Sequence, residues 1–172
     1  MRARVYQHLF KFLKPGERVL EINAGTGIDA VRMARYGCYV HATDLSDGMI
    51  HCLNQKIITE NLSDRITTEQ LSYTELNHIA SGPFDYVFSN FGGLNCAPDL
   101  RLITRHLTKL LKPGGFLTWV IMPKVALWEL AAVFKGNFRY AFRRLHRHGT
   151  RAYLEGVYFP CYYYDISDVR LA

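Results

Sequence analysis

No stretch of this chain restricts its fold as tightly as residues 19–34, VLEINAGTGIDAVRMA. Val19, Leu20 and Ile22 make a short apolar run, Ala24-Gly25-Thr26-Gly27 a turn, and Ala30, Val31 and Ala34 then recur at helical spacing. Strand, glycine turn and helix in that order open a βαβ unit. Without a Cβ, Gly25 and Gly27 let a ligand approach the backbone and let the chain adopt unusual dihedrals. The helix that follows aims its unpaired N–H groups at whatever occupies the turn, so a nucleotide-like ligand is the natural occupant. Gly25-x-Gly27-x-x-Ala30 also satisfies the dinucleotide fingerprint, which leaves a nicotinamide site open.

Glu21 discriminates between nucleotide sites, because the nicotinamide strand is ordinarily apolar throughout and this one carries an acid two residues from its end. The pattern E-x-N-x-G-x-G over Glu21, Asn23, Gly25 and Gly27 resembles the first motif of the class I S-adenosylmethionine-dependent methyltransferases. Asn23 replaces a glycine common in that family, and asparagine tolerates positive φ better than most residues. The resemblance implies that Glu21 lies close to the methionine amino group of the cofactor, in a turn formed by Asn23, Ala24, Gly25 and Gly27.

Residues 38–43 read as the second strand, and Asp44 follows directly, where a βαβ site places the acid that bonds a ribose diol. A helix N-cap is the competing role, which Ser46 or Asp47 would fill equally well. Asp44-Leu45-Ser46-Asp47-Gly48-Met49 resembles the D-x-S-x-x-M pattern of the same family, which implies that Leu45 and Met49 lie near the adenine; Met49 also falls on the apolar stripe Met49, Ile50, Leu53, Ile57 and Ile58 of a helix over 47–60. After a third strand at 65–68, Gln70 and Leu71 stand where the family bonds the adenine amine. Residues 83–90, PFDYVFSN, resemble its F-D-x-V-x-x-N strand, with Asn90 a candidate contact and Asp85 structural. Residues 111–117, LKPGGFL, resemble its L-K-P-G-G-x-L turn, leading to a buried strand over 116–122.

A first helix is expected over 2–13, a further one over 99–111 with Leu100, Ile103, Leu107, Leu110 and Leu111 inward, and another over 125–134. The basic stretch 136–152 carries Arg139, Arg143, Arg144, Arg147, His148 and Arg151, and no acid lies between Glu129 and Glu155. It reads as a solvated helix face, an anion-reading lid containing Arg143, or a membrane-surface patch, the last not favoured. Residues 157–164 read as an aromatic strand from which Tyr162 could reach an acceptor. Asn95, in the loop after Asn90, is a third acceptor candidate, with a turn role as its alternative. The ending, residues 165–172, reads as a helix N-capped at Ser167 that stops after one turn, and suggests a truncated chain.

The whole is expected to be one Rossmann-like, doubly wound α/β domain, a mostly parallel sheet with helices on both faces that lacks the C-terminal antiparallel strands. Residues 1–122 would bind S-adenosylmethionine; 123–172 would be a basic, aromatic insert and the start of the remaining C-terminal part. The expected function is methyl transfer to a small-molecule acceptor, releasing S-adenosylhomocysteine. A nicotinamide oxidoreductase and a non-catalytic cofactor-binding domain are the alternatives. No catalytic base can be named. With 172 residues, 49% hydrophobic and 21% charged, the composition is ordinary for a globular protein. The four cysteines show no metal-ligand spacing; free thiols fit a cytoplasmic location. The net charge of +6 is concentrated in the basic stretch, which argues against a specific nucleic-acid footprint.

Overall fold

The computed structural model describes residues 2–146, 149–154 and 157–172. Arg147 and His148 of the basic stretch, and Glu155, lie outside the described residues. The described residues form two compact units: 1–90 with 102–120, and 91–101 with 121–172.

The first unit holds five parallel strands, β1 (Arg18–Ile22), β2 (Tyr39–Asp44), β3 (Ile66–Gln70), β4 (Phe84–Ser89) and β5 (Leu111–Trp119), in the order β3-β2-β1-β4-β5. The chain therefore runs outward from β1 to β3, returns to β4 and continues outward to β5, so the order reverses between β1 and β4. Crossovers between parallel strands are right-handed, and this reversal puts the β1–β3 connections on one face and the β4–β5 connection on the other. On the first face α1 (Arg2–Leu9), α2 (Ile28–Arg35) and α3 (Asp47–Thr59) share a core with the strands, in which Leu9, Ala30, Met33 and Leu53 are buried with Val19, Val40, Ala42, Tyr86 and Phe88. The alternate strand residues Leu20, Ile22 and Val87 are fully buried on the opposite face, and Ile103, Leu107 and Leu110 of α4 (Arg101–Leu110) are buried as well. Fully burying one such aliphatic side chain contributes about 1.5–3 kcal/mol.

Several boundaries differ from the sequence expectation. The first helix stops at Leu9, and Leu13 returns to the core through a turn in which its N–H reaches the Leu9 carbonyl. β3 runs two residues further than expected, to Gln70. Ile58 is off the α3 stripe and exposed. Leu111 opens β5 instead of ending α4, and Lys112-Pro113-Gly114-Gly115 form an irregularity within β5: Phe84 is level with Leu111, but Tyr86 is level with Phe116. The strand ends at Trp119 and is not buried; it is the sheet edge, with Phe116 and Leu117 exposed. An edge strand presents one open side, which a run of apolar residues alone does not disclose.

The second unit contains α5 (Leu127–Leu130), α6 (Phe138–Ala141), β6 (Thr150–Leu154), β7 (Val157–Cys161) and α7 (Ile166–Leu171). The expected helix over 125–134 is one α turn followed by a tighter turn at Ala131–Lys135. The basic stretch supplies β6, an antiparallel partner for β7 in a separate two-stranded sheet. The final helix is capped by Asp165, not Ser167: Asp165 and Asp168 exchange side-chain-to-backbone hydrogen bonds as a capping box.

Candidate functional site

The two-residue period of a strand decides which side chains converge. Val19 and Glu21 share a face, as do Val40, Ala42 and Asp44, and Tyr86, Phe88 and Asn90. In the parallel register Glu21 is level with Ala42 and Phe88, so Asp44 and Asn90 lie one period beyond it on the same face, the face α2 covers. All three stand at the carboxyl ends of β1, β2 and β4, around the point where strand order reverses. Open α/β sheets bind ligands there.

Glu21 sits in the central strand and is almost wholly buried, so it is not an acid at a sheet edge. Burial pushes its carboxyl well above the ordinary range; Asp29 and Asp44 add to this, while Arg2 and a backbone hydrogen bond from Ala30 oppose it. Its Oε2 has no hydrogen-bond partner among the described residues. The turn beyond it is held open by backbone geometry. Asn23, Gly25 and Gly27 have φ of 60°, 56° and 73°. A Cβ on Gly25 would meet nothing within 4 Å, whereas one on Gly27 would lie 2.0 Å from Leu53 Cδ1. Gly25 thus leaves space above the turn, and Gly27 lets the turn pack on α3. Ala24 donates its N–H to Thr43 O at 2.9 Å, and Lys56 Nζ donates to Thr26 O at 2.7 Å, tying the turn to β2 and α3.

Asp44 braces the turn as well. Its Oδ2 accepts the Gly25 N–H at 2.8 Å and its Oδ1 the Ser46 N–H at 2.9 Å. It does not cap α3; Ser46 does, accepting from Met49 N–H. An ionised carboxylate has about four acceptor positions, so two remain for hydroxyl donors. Leu45 is exposed and Met49 half-buried. Gln70 spends its Nε2 on the Leu45 carbonyl at 3.1 Å, and the Leu71 N–H reaches Asp44 O at 3.0 Å. Both therefore shape the segment beside Asp44.

Asn90 is buried and donates Nδ2 to Asp29 Oδ2 at 3.0 Å. Sequence reasoning passed over Asp29, although an acid in the first turn of the helix after the glycine turn was the available signal. Its Oδ1 accepts the Tyr6 hydroxyl at 2.5 Å and lies 3.5 Å from Arg2 Nε. Asp29 so joins α1, α2 and the end of β4, and burial together with this bond raises the Tyr6 phenol above its usual range.

The three acceptor candidates lie in the second unit, and two of them are engaged structurally. Asn95 is fully buried; its Nδ2 donates to Met122 O and Tyr162 O at 3.2 and 2.5 Å, and its Oδ1 accepts from Met122 N at 2.8 Å. It clamps the backbone at Met122 and Tyr162. Arg143 makes a two-pronged pair with the Glu129 carboxylate, Nε and Nη2 at 2.9 and 2.8 Å. Its charge is matched within the segment by that carboxylate. Tyr162 is half-buried and bonds Asn95 through its backbone.

A buried acid in the middle strand, a glycine turn leading into α2 and an acid ending β2 define a nucleoside-binding α/β domain of the methyl-transferring kind. The chain belongs to the methyltransferase domain family, whose model matches residues 19–115. It is 33% identical over 117 residues to a demethylmenaquinone methyltransferase of Corynebacterium glutamicum, covering 68% of this chain and 46% of the relative. It is 31% identical over 107 residues to phosphoethanolamine N-methyltransferase 2 of Caenorhabditis elegans, covering 62% and 24%. Among solved structures, the CcbJ methyltransferase of Streptomyces caelestis superposes with a TM-score of 0.59 at 25% identity, covering 66% of this chain and 47% of that one. The chain spans less than half the length of each of these proteins.

S-adenosylmethionine is the cofactor of this family, and the residues fit it on three counts. The orphaned Glu21 Oε2 suits an ammonium group, the open space over Gly25 admits a ligand against backbone, and Asp44 keeps acceptor capacity for a diol. Among the described residues no cluster of His, Cys, Asp or Glu could hold a metal ion. The four cysteines are free, and no helix among the described residues is long and apolar enough to cross a membrane.

Proposed function

We propose that this chain carries out S-adenosylmethionine-dependent methyl transfer to a small-molecule acceptor in the cytoplasm. The observation that carries this reading is the buried, half-satisfied Glu21 carboxyl beneath an open glycine turn in the central strand. The cofactor supplies a methyl group already activated on a sulfonium, so the protein's main task is alignment of donor and nucleophile. Glu21 would accept from the ammonium, Asp44 from the ribose hydroxyls, and Leu45 and Met49 would flank the base, with Gln70 and Leu71 holding that segment in place. Asn90, fixed by Asp29, would border the methyl group. Demethylmenaquinone and phosphoethanolamine in the relatives' names support a small acceptor. The nicotinamide alternative retains only Gly25-x-Gly27-x-x-Ala30 and gives Glu21 no role.

Thermal unfolding with S-adenosylmethionine, S-adenosylhomocysteine, NADH and NADPH in parallel tests the reading. A ligand at about a hundred times its Kd adds about 2.7 kcal/mol, which at about 2–4 °C per kcal/mol for a chain of this size raises Tm by about 5–11 °C. The expected result is a rise with the first two compounds alone, lost in Asp44→Ala. A rise with the nicotinamides alone overturns it.

A further inference from the structure

Residues 127–145 of the second unit are built with their charges inward and their apolar groups outward. α5, the tight turn after it, α6 and the final turn Arg143–Leu145 pack on one another. What fastens them is polar. Glu129, in α5, is buried and receives Arg143 in two hydrogen bonds and Arg144 Nη2 at 2.6 Å. Arg144 is also buried, donates Nη1 to Pro123 O at 3.1 Å, and lies against the rings of Trp128 and Tyr163. The large apolar side chains are on the outside: Leu127 is 78% exposed, Trp128 70% and Phe134 94%, and Phe138, Phe142 and Leu145 are exposed as well. Soluble surfaces rarely gather so many large apolar groups in one short segment without a partner to cover them.

The charge left outside has one sign. The segment contains four basic residues and a single acid, Glu129, and that acid is consumed internally. Arg139 is exposed within the segment, and Arg151, just beyond it, is exposed over the Tyr158 ring. A second copy of this surface would meet it with like charge. A bilayer with anionic headgroups offers negative charge at the level of Arg139 and Arg151 and an apolar layer beneath it for Phe and Leu. Trp and Tyr also favour that boundary. The helical turns here are far too short to cross a membrane, so contact would be in the interfacial plane.

We propose that residues 127–145 form a docking surface for an anionic lipid membrane. The surface holds the protein at the bilayer by insertion of Trp128, Phe134 and Phe138, with electrostatic attraction through Arg139. It is independent of the cofactor reading, since every residue in it lies outside the turn that Glu21 and Asp44 build.

The chain contains two tryptophans, and Trp119→Phe leaves Trp128 as the sole reporter. The full chain carrying that substitution is titrated with vesicles of phosphatidylcholine alone and of phosphatidylcholine with about one third phosphatidylglycerol. The expected result is a blue shift of Trp128 emission and co-sedimentation with the anionic vesicles only, both reversed by about 0.5 M salt. Phe134→Ser with Phe138→Ser, and separately Arg139→Glu, should each weaken binding by about tenfold or more. Co-sedimentation of the unsubstituted chain gives the same reading should Trp119→Phe misfold. Absence of vesicle binding overturns the proposal, as does a concentration-dependent dimer that buries Trp128 without lipid. Stabilisation by S-adenosylhomocysteine, measured on the same samples, is expected in every variant; its loss with docking intact would count against the cofactor reading and not against this one.

Discussion

The two glycines of the turn should fail in opposite ways when each is replaced by alanine. Both have positive φ, 56° at Gly25 and 73° at Gly27, and a left-handed conformation costs an L residue about 1–2 kcal/mol. That part of the penalty is shared. The steric part is not, because a Cβ at Gly25 meets nothing within 4 Å, whereas one at Gly27 lies 2.0 Å from Leu53 Cδ1 and 3.0 Å from its Cγ. Leu53 is fully buried in the core beneath α3 and cannot swing into solvent. Overpacking of this kind adds about 1–3 kcal/mol. Gly25→Ala should therefore cost about 1–2 kcal/mol of stability, and Gly27→Ala about 2–5 kcal/mol.

Binding should invert the ranking. The methyl added at Gly25 occupies the space a ligand needs, so Gly25→Ala should weaken S-adenosylhomocysteine binding by more than tenfold, about 1.4 kcal/mol, in a protein that is still folded. Gly27→Ala, in the fraction that folds, adds bulk toward the core and should bind with a smaller loss. Urea unfolding gives the stabilities and calorimetric titration the affinities. Equal stability losses in the two variants, or unchanged affinity in Gly25→Ala, would refute the division of labour between the glycines and with it the reading of the space above Gly25 as a ligand cradle.

Glu21→Gln removes a carboxyl that burial holds above its usual range. Such a group stabilises the protonated fold below the unfolded value and loses that contribution as pH rises through the folded one, about 1.4 kcal/mol for each unit of elevation. Urea titrations of the ligand-free protein should therefore show Glu21→Gln gaining on the parent as pH rises above about 4.5, while its affinity for S-adenosylhomocysteine falls. The opposite sign applies to Glu129, whose carboxyl is drawn down from 4.5 to about 2, chiefly by its hydrogen bonds from Arg143, with Arg144 adding to this. Its contribution is fully present above pH 4.5 and lost between there and about pH 2. Glu129→Gln, which leaves Arg144 buried against a neutral partner, should cost about 3 kcal/mol at neutral pH; a loss below about 0.5 kcal/mol in urea unfolding would refute the clamp. Asn95→Ala orphans the Met122 N–H and the Tyr162 carbonyl, while the Met122 carbonyl keeps the Tyr164 N–H, and should cost about 2–4 kcal/mol in the same assay, without the selective loss of acceptor binding that a contact residue would show.

The first unit was legible because its determinants are local and periodic. The strand–turn–helix at 19–34 contains its own glycines, and strand parity places Glu21, Asp44 and Asn90 on one face once the register is parallel. What sequence reasoning missed there, the bond network of Asp29 with Tyr6 and Asn90, spans separations of 23 and 61 residues and leaves no periodic trace. The second unit shows how the same habits fail. Arg143 stood out because no acid follows it for some distance, yet its partner is Glu129, fourteen residues upstream. The count of charges in the basic stretch did not disclose that one buried carboxylate absorbs two guanidinium groups. Likewise Asn95 has the composition of a turn residue and the connectivity of a core residue. A polar side chain whose partners are all backbone atoms distant in sequence looks the same in the sequence as one that waits for a ligand. The apolar residues at 127–145 complete the contrast, since helical spacing would have turned them inward. The Glu129 clamp takes the interior instead and leaves Trp128 and Phe134 facing out. That inversion is the observation on which the proposed membrane contact rests.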